Sequence, residues 1–561
     1  MTFPVFSKIS RVYKLIFLLL LLIVCFHVGF AVINVPPYGD DGDNHLSWIA
    51  QFNHAIEEGI GYPRWMPESL GGYGSPAFYF YPPLAYFITF GLSVLTGIRG
   101  YVGEFNLVQV IACILSTITF YLYLRRKVSS KLMVLIGALF YGFGPYRFAD
   151  AYLRSAYTEH LAMAWVPLFF WGLELAIESK TTKQHTRAIL ALTVSAMLLT
   201  LTSIPVTVLV LFATPVYLLP HVIQNRKELS KLSLILGSVG LLTFIVLGIY
   251  LLPIISLREY IQTHHLEDTF GHSKYAFVLL DVWNEFWHLT RISLLLLFVG
   301  VAAFFTIRRS DNTLLRRITY LLGLCIFLQL PIISVPFWSL LSPLKLVQFS
   351  WRWDVLLTFC IGVCIAYADN LPTGQWFKYS LVAILVYVVV AFGFWSVKIS
   401  NEKLPVVATP TDEAIEYAPR EAISGKWRLL SFVRSADSLP ELTPLMELDN
   451  VESVQLISRT GSITTAQADL KAPARILFHR FFWPYWRLEI LKDKERDTLK
   501  TFADSNGVLC AELPAGKYRL ELSMQEPEVI KSASTISLIG VAILALLGLY
   551  AIPRGRKKQG A

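Results

Sequence analysis

Long apolar runs bounded by basic residues constrain this chain more than any other feature. A hydrocarbon core about 30 Å thick takes roughly 20 apolar residues per helix, and loops rich in Lys and Arg stay on the cytoplasmic side. Such runs lie near residues 15–33, 105–124, 132–152, 158–176, 188–204, 205–222 and 232–257, then 292–307, 318–335, 354–368, 379–397 and 534–552. They predict about twelve transmembrane helices. Basic groups at Lys8, Arg11 and Lys14, at Arg125 to Lys127, at Lys180, Lys183 and Arg187, at Arg226, Lys227 and Lys231, at Arg308 to Arg317, and at Arg554 to Lys558 then share one side. This alternation requires that Tyr79 to Gly97, with Pro82 and Pro83, lies in the interface without crossing. Both termini are expected to be cytoplasmic, in a cytoplasmic (inner) membrane. The first run has no small-residue cleavage site and reads as an anchor.

Composition agrees. Hydrophobic residues make up 55% of the 561 and charged residues 16%, against roughly 25% charged in soluble domains. A soluble globular fold is excluded. The net charge of +9 sits beside spans, so it points to membrane lipid and not to nucleic acid. Five of the six cysteines lie in apolar runs, so neither a disulfide framework nor a thiolate zinc site follows.

Three outward segments stand out: 34–104, 258–291 and 398–531. The last turns polar and carries short alternating runs, Ala474 to Phe482, Tyr485 to Leu491, Val508 to Leu513 and Gly516 to Met524, which read as a β-sandwich. The expected fold class is an all-α polytopic membrane protein with a C-terminal extracytoplasmic β-sandwich domain inserted before the last helix. Residues 1–397 form the membrane part, with juxtamembrane helices in loop 34–104. Residues 398–531 form the β domain, and residues 532–561 the last helix and basic tail.

Chemistry concentrates where charges crowd the membrane surface. Asp40, Asp41 and Asp43 stand within four positions, followed by His45. Mutual repulsion raises some of their pKa values or recruits a cation, and an aspartate beside a cavity can take a proton from an attacking hydroxyl. His45, four residues after Asp41, shares its helical face and can orient the carboxylate or contact a phosphate. The same residues also fit a solvated turn with a helix N-cap. Arg64, Trp65 and Tyr81 lie in a Gly-, Pro- and aromatic-rich stretch that suits interfacial anchoring or stacking on a sugar. Arg147, Asp150, Arg154, Glu159 and His160 form a second set, in which Arg154 pairs with Glu159 or binds phosphate. Lys345, Gln348, Arg352 and Asp354 form a third, with Arg352 between two tryptophans. His264, His265, Glu267, Asp268 and His272 make a loose cluster without clear metal-ligand spacing. No Walker motif, Rossmann fingerprint or Gly-x-Ser-x-Gly elbow is present.

The run Asp41-Gly42-Asp43-Asn44-His45, with Gly61 to Trp65, Gly72-Tyr73-Gly74 and Tyr81-Pro82-Pro83, resembles the integral membrane family labelled 6-pyruvoyl-tetrahydropterin-synthase-related and its YfhO-like relatives. Nothing resembles the soluble pterin synthase itself. Gln348-Phe349-Ser350-Trp351-Arg352 is similar to a Gln-Phe-Pro-Trp-Arg pattern, with Ser350 for the proline. Trp483-Pro484-Tyr485-Trp486 is similar to a Pro-Gly-Trp strand, with Tyr485 for the glycine. The resemblance places the chain among GT-C glycosyltransferases. It implies an inverting transfer from a polyprenyl-phosphate-linked sugar to a glycan, lipid or protein acceptor on the outer face of the cytoplasmic membrane. The family's acidic position falls on Asp41, with Asp40 and Asp43 as rivals. His45, Arg64, Trp65, Tyr81, Arg154, Glu159, His160, Gln348 and Arg352 are the expected substrate contacts. Metal dependence stays open, with Asp41 and Asp43 as ligands for a divalent cation (Mg or Mn). The rival reading is a non-catalytic lipid-linked glycan carrier, flippase or assembly partner. A proton-coupled transporter using Glu159 is disfavoured by the scarcity of mid-span charges.

Overall fold

The computed structural model describes residues 11–37, 39, 41–262, 287–330, 342–347, 349–371, 374–401, 414–422, 451–459, 461, 463–492 and 495–552. Ten helices among them are long and apolar enough to cross a membrane. They are α1 (Arg11–Val32), α4 (Tyr101–Leu124), α5 (Lys131–Leu153), α6 (Tyr157–Glu178), α7 (Thr182–Thr202), α8 (Ile204–Gln224), α9 (Glu228–Val246), α11 (Trp287–Ile307), α14 (Gln375–Asn401) and α15 (Glu528–Ala551). This chain is a multi-pass membrane protein.

Two of the twelve expected spans are shorter than sequence hydropathy implies. The helices α12 (Thr313–Gln329) and α13 (Asp354–Ala366) have 17 and 13 residues. Tight turns at Ser342–Val347 and Ser350–Trp353 precede α13 and carry Arg352 into the protein interior. Non-helical backbone at membrane depth is tolerated where protein surrounds it. The expected single span at 232–257 is broken at Leu247, after which α10 (Gly248–Leu257) turns against α15. Ser537 of α15 accepts the Ile249 N–H at 2.8 Å there, so the break leaves that amide satisfied.

Helices α2 (Gly42–Glu57) and α3 (Leu84–Thr96) both lie in the long loop between α1 and α4. At 13 residues, α3 is about 20 Å long, short of a full crossing. An aromatic core of Trp48, Phe52, Phe78, Tyr86 and Phe105 binds these helices to α4.

Eight strands follow: β1 (Val451–Arg459), β2 (Ile463–Leu470), β3 (Ala474–Phe481), β4 (Trp486–Lys492), β5 (Glu495–Leu499), β6 (Phe502–Ala503), β7 (Val508–Leu513) and β8 (Gly516–Met524). They form two antiparallel sheets, ordered β1-β2-β8-β4-β5 and β3-β7-β6. Inward residues such as Ile476, Leu488, Leu509 and Leu520 share one core. The loop before α3 grips these sheets. Trp65 meets Trp486 edge-on at 5.4 Å, Tyr79 lies 5.7 Å from Trp483, and Tyr73 stacks on His479 at 4.1 Å. Gly74, at φ 83°, faces the Trp65 ring where a Cβ would stand, so the loop needs glycine for both reasons.

At the opposite end of the bundle, Glu174 of α6 accepts Arg317 at 2.7 Å, Lys127 at 2.5 Å and the Tyr217 hydroxyl at 2.6 Å. Lys183 and Arg187 bond the last carbonyls of α15, at Ile552 and Ala551, where cations complement the helix dipole. Replacing Arg317 by Ala leaves a buried carboxylate with one cation fewer. It is expected to cost about 3 kcal/mol of stability, read as a lower melting temperature in detergent; an unchanged melt would show that Lys127 alone suffices.

Candidate functional site

The site is built where α5 hands the chain to α6. The last turn of α5, Ala149–Leu153, widens to a π turn, a local underwinding that re-aims side chains and recurs at functional positions. The following Ser155 sits at φ 54°, a strained conformation for a residue with a Cβ. Its hydroxyl accepts the Gly39 N–H at 2.9 Å, and Arg154 O accepts the Asp41 N–H at 3.2 Å. Gly39 lies so close to the Arg154–Ser155 backbone that a Cβ there would collide with it. The loop leaving α1 is thus pinned to the α5–α6 turn, and Asp41 is delivered beside Arg154.

Two arginines share one carboxylate at this point. Arg154 Nη1 donates to Asp150 Oδ1 at 2.8 Å and to Glu159 Oε2 at 3.1 Å. Arg352 Nε donates to the same Glu159 oxygen at 2.8 Å, and its Nη1 donates to Val347 O at 2.9 Å. The Tyr146 hydroxyl donates to Glu159 Oε1 at 2.6 Å. Arg154, Glu159 and Arg352 are only 5%, 3% and 9% exposed. Charges taken from water this fully persist only when each has a partner, and Glu159 supplies it to both arginines. Phe349 and Trp351, stacked at 4.4 Å, flank the pair, with Arg352 over Phe349 at 5.2 Å and Arg154 over Trp351 at 6.0 Å.

Asp41 differs from the other acids. It is half-buried, and among the described residues its carboxylate accepts no hydrogen bond and forms no ion pair. Burial pushes its pKa up, nearby Arg154 and Arg352 draw it back, and Glu159 pushes it up again, with a net rise above the ordinary aspartate value. Arg154 Nε and Nη2 likewise have no hydrogen-bond partner among the described residues. An unsatisfied base and unsatisfied cationic donors therefore stand side by side.

Below this layer, Asp150 Oδ2 faces His160 Nδ1 at 3.7 Å, and His160 Nε2 meets Cys113 Sγ at 3.3 Å. Arg147, fully buried, donates to His160 O and to Ser116 Oγ. This second layer fixes the π turn from beneath and places His160 inside the bundle.

The sequence-based site residues divide accordingly. Asp41, Arg154, Glu159 and Arg352 come together. Tyr81 joins them: its hydroxyl bonds Thr158 at 3.0 Å, and it senses the charges of Asp41 and Arg352. His45 is one turn beyond Asp41 but turns into the aromatic core, where Nδ1 bonds the Tyr86 hydroxyl at 2.7 Å. Burial pushes its pKa down to about 3, leaving the ring neutral. Asp43 is exposed on the first turn of α2. Arg64 and Trp65 lie at the sheet junction, with Arg64 over Tyr62 at 3.9 Å and its Nη2 bonded to Ile249 O at 3.4 Å. Asp40, Gln348 and the His264 to His272 cluster fall outside the described residues.

Tyr417 enters the site unforeseen by sequence reading. It belongs to a short strap, 414–422, between α14 and the sheets, and its ring lies 5.9 Å from both Trp48 and Tyr81. The preceding stretch has no motif, and the strap's nearest partners are distant in the chain. Tyr146, eight residues before Arg154, gives no signal in sequence either, because a tyrosine in an apolar run reads as core.

Among the described residues, no group of three or more His, Cys, Asp or Glu could hold a metal ion. Asp41 faces inward and Asp43 is exposed, so this pair does not form a cradle.

No family model matches this chain. No curated protein matches it either. The family resemblance rests on the motifs alone. Among solved structures, the chain is similar to the Archaeoglobus fulgidus oligosaccharyltransferase, a structure described as a complex with Zn and sulfate, at 12% identity and a TM-score of 0.35. The match covers 66% of this chain and 53% of that one, so this chain spans about half the length of the protein it matches. A likeness this loose places no site residue.

Proposed function

We propose that this chain is a membrane glycosyltransferase of GT-C type, moving a sugar from a polyprenyl-phosphate donor to a glycan, lipid or protein acceptor at the sheet-bearing face. The observation that carries it is Asp41, an unpartnered, half-buried carboxylate with raised basicity beside two arginines fixed by one glutamate. The sheet-bearing face is read as the outer side of the cytoplasmic membrane because basic clusters gather at the bundle's other end.

The chemistry follows from placement. The acceptor hydroxyl oxygen attacks the anomeric carbon while the bond from that carbon to the phosphate oxygen breaks. The acceptor proton passes to Asp41, and the electron pair leaves on the polyprenyl phosphate, whose charge the open donors of Arg154 and the guanidinium of Arg352 meet. Attack opposite the leaving group inverts the anomeric centre. Cations held in advance by Glu159 need no reorganisation as that charge develops.

The test is label transfer by purified protein in nanodiscs from radiolabelled polyprenyl-phosphate sugars to membrane glycan extracts, with and without EDTA. Labelled product is expected; donor binding with no transfer to any acceptor supports the carrier reading instead. Loss of transfer in EDTA would put a metal in the mechanism. A pH series gives a second expectation. Asp41 works as a base only when ionised, and its pKa is raised, so activity falls with acid at a pH above the ordinary aspartate range. An acid limb at or below that range would remove Asp41 from this role.

A further inference from the structure

The strap at 414–422 is held from three directions, and each hold ends near the same site. Ser75 Oγ donates to Tyr417 O at 3.0 Å. Gln262, just beyond α10, donates its backbone N–H to Ala418 O at 3.1 Å and its side-chain Nε2 to Ala422 O at 2.7 Å. From the sheets, Phe481 and Val508 bury Ile415, Ala418 and Ala422 in one small core with Leu70 and Tyr73. The Gly507 position is so close to Glu421 and Ala422 that a Cβ would collide with the strap backbone. A segment fixed this firmly to the loop, the bundle and the sheets presents its side chains in set positions.

What it presents is Tyr417. The ring closes on Trp48 and Tyr81 and lies near enough to Asp41 and Arg352 to sense both charges. Tyr417 is only half-buried, and among the described residues its hydroxyl has no hydrogen-bond partner, whereas the Tyr81 hydroxyl is taken by Thr158. An open phenol and an open carboxylate on one aromatic wall suit a polyhydroxylated ring, which offers an apolar face to the aromatics and hydroxyls to the polar atoms.

Resting on the transferase reading, we propose that Tyr417 is the acceptor-side contact: its hydroxyl and ring, together with Tyr81, hold a sugar acceptor so that one hydroxyl meets Asp41. The sheets then act on the reaction by seating the strap. The donor phosphate stays on the arginine side, which separates the two substrates.

The test uses full-length protein in nanodiscs, labelled polyprenyl-phosphate sugars, and methyl α-D-glucoside and methyl α-D-mannoside as soluble acceptors. Tyr417→Phe keeps the ring packing and removes the hydroxyl. It is expected to raise the KM for the glycoside about fivefold, the size expected for one lost neutral hydrogen bond, and to raise the share of donor consumed by water. Tyr417→Ala, which also loses the ring, is expected to do more in the same direction. Wild-type KM and wild-type partitioning in both variants overturn the inference while leaving the transferase standing. Wild-type protein that neither transfers nor hydrolyses any donor overturns the transferase reading, and the acceptor site falls with it.

Discussion

Asp41→Asn is expected to lower transfer by about 10²- to 10⁴-fold, the range for loss of a positioned general base, while the protein keeps its melting temperature. The structure separates the two effects cleanly. Asp41 holds its place through backbone contacts, its N–H on Arg154 O and its carbonyl on the His45 N–H, and these survive the substitution. Its side chain caps no helix, so the amide replaces a carboxylate that contributes little to the fold. A variant that loses activity and stability together would mean that Asp41 is structural. Normal transfer would mean that the base lies elsewhere, with Asp40 and Asp43 the next to test.

Glu159→Ala is expected to show the opposite pattern, with fold and activity failing together. Three groups rest on that carboxylate, Tyr146, Arg154 and Arg352. Its removal leaves two deeply buried guanidinium groups short of a counter-charge. Breaking a buried pair by deleting one partner costs about 3–5 kcal/mol, and here one deletion touches two pairs. Glu159→Gln keeps the shape and part of the hydrogen bonding, so it should melt between wild type and the Ala variant. Because the arginines then lean toward Asp41, its pKa should fall and the acid limb of activity should move to lower pH. The melting temperatures and pH profiles of both variants check this. A Glu159→Ala protein as stable as wild type would contradict the shared-carboxylate account.

The multi-pass architecture was legible from apolar run length. The ten long helices follow those runs, and the stretch holding α3 reads as non-crossing from Pro82 and Pro83 and from the alternation of basic loops, while its length of 13 residues is visible only in the structure. Helix lengths at α12 and α13 were not legible, because hydropathy cannot tell a full span from a shorter helix whose neighbouring turns are buried by protein. Strands β3, β4 and β8 showed their alternation, and β7, buried on both faces over most of its length, was marked by its apolar run. The strands β5 and β6 lack it, β5 being almost wholly exposed along its length. In the site, Asp41, Arg154, Glu159 and Arg352 could be named because charge near a membrane is costly and needs a reason. His45 was misplaced by helical spacing alone, which put it on Asp41's face without showing that the aromatic core draws the ring away. Tyr417 was invisible for a different reason: its place is set by sheet docking, which no local pattern encodes.

The central claim is that bond-forming transfer depends on the open carboxylate beside the paired arginines. It is tested most directly by single-turnover reactions of wild type and Asp41→Asn, in identical nanodiscs loaded with labelled polyprenyl-phosphate sugar, with bound donor and labelled product counted in the same samples. Donor bound equally by both proteins, and product formed by the wild type alone, is the expected result. Product formed equally by both, or bound donor with no product from the wild type under any acceptor, would contradict it.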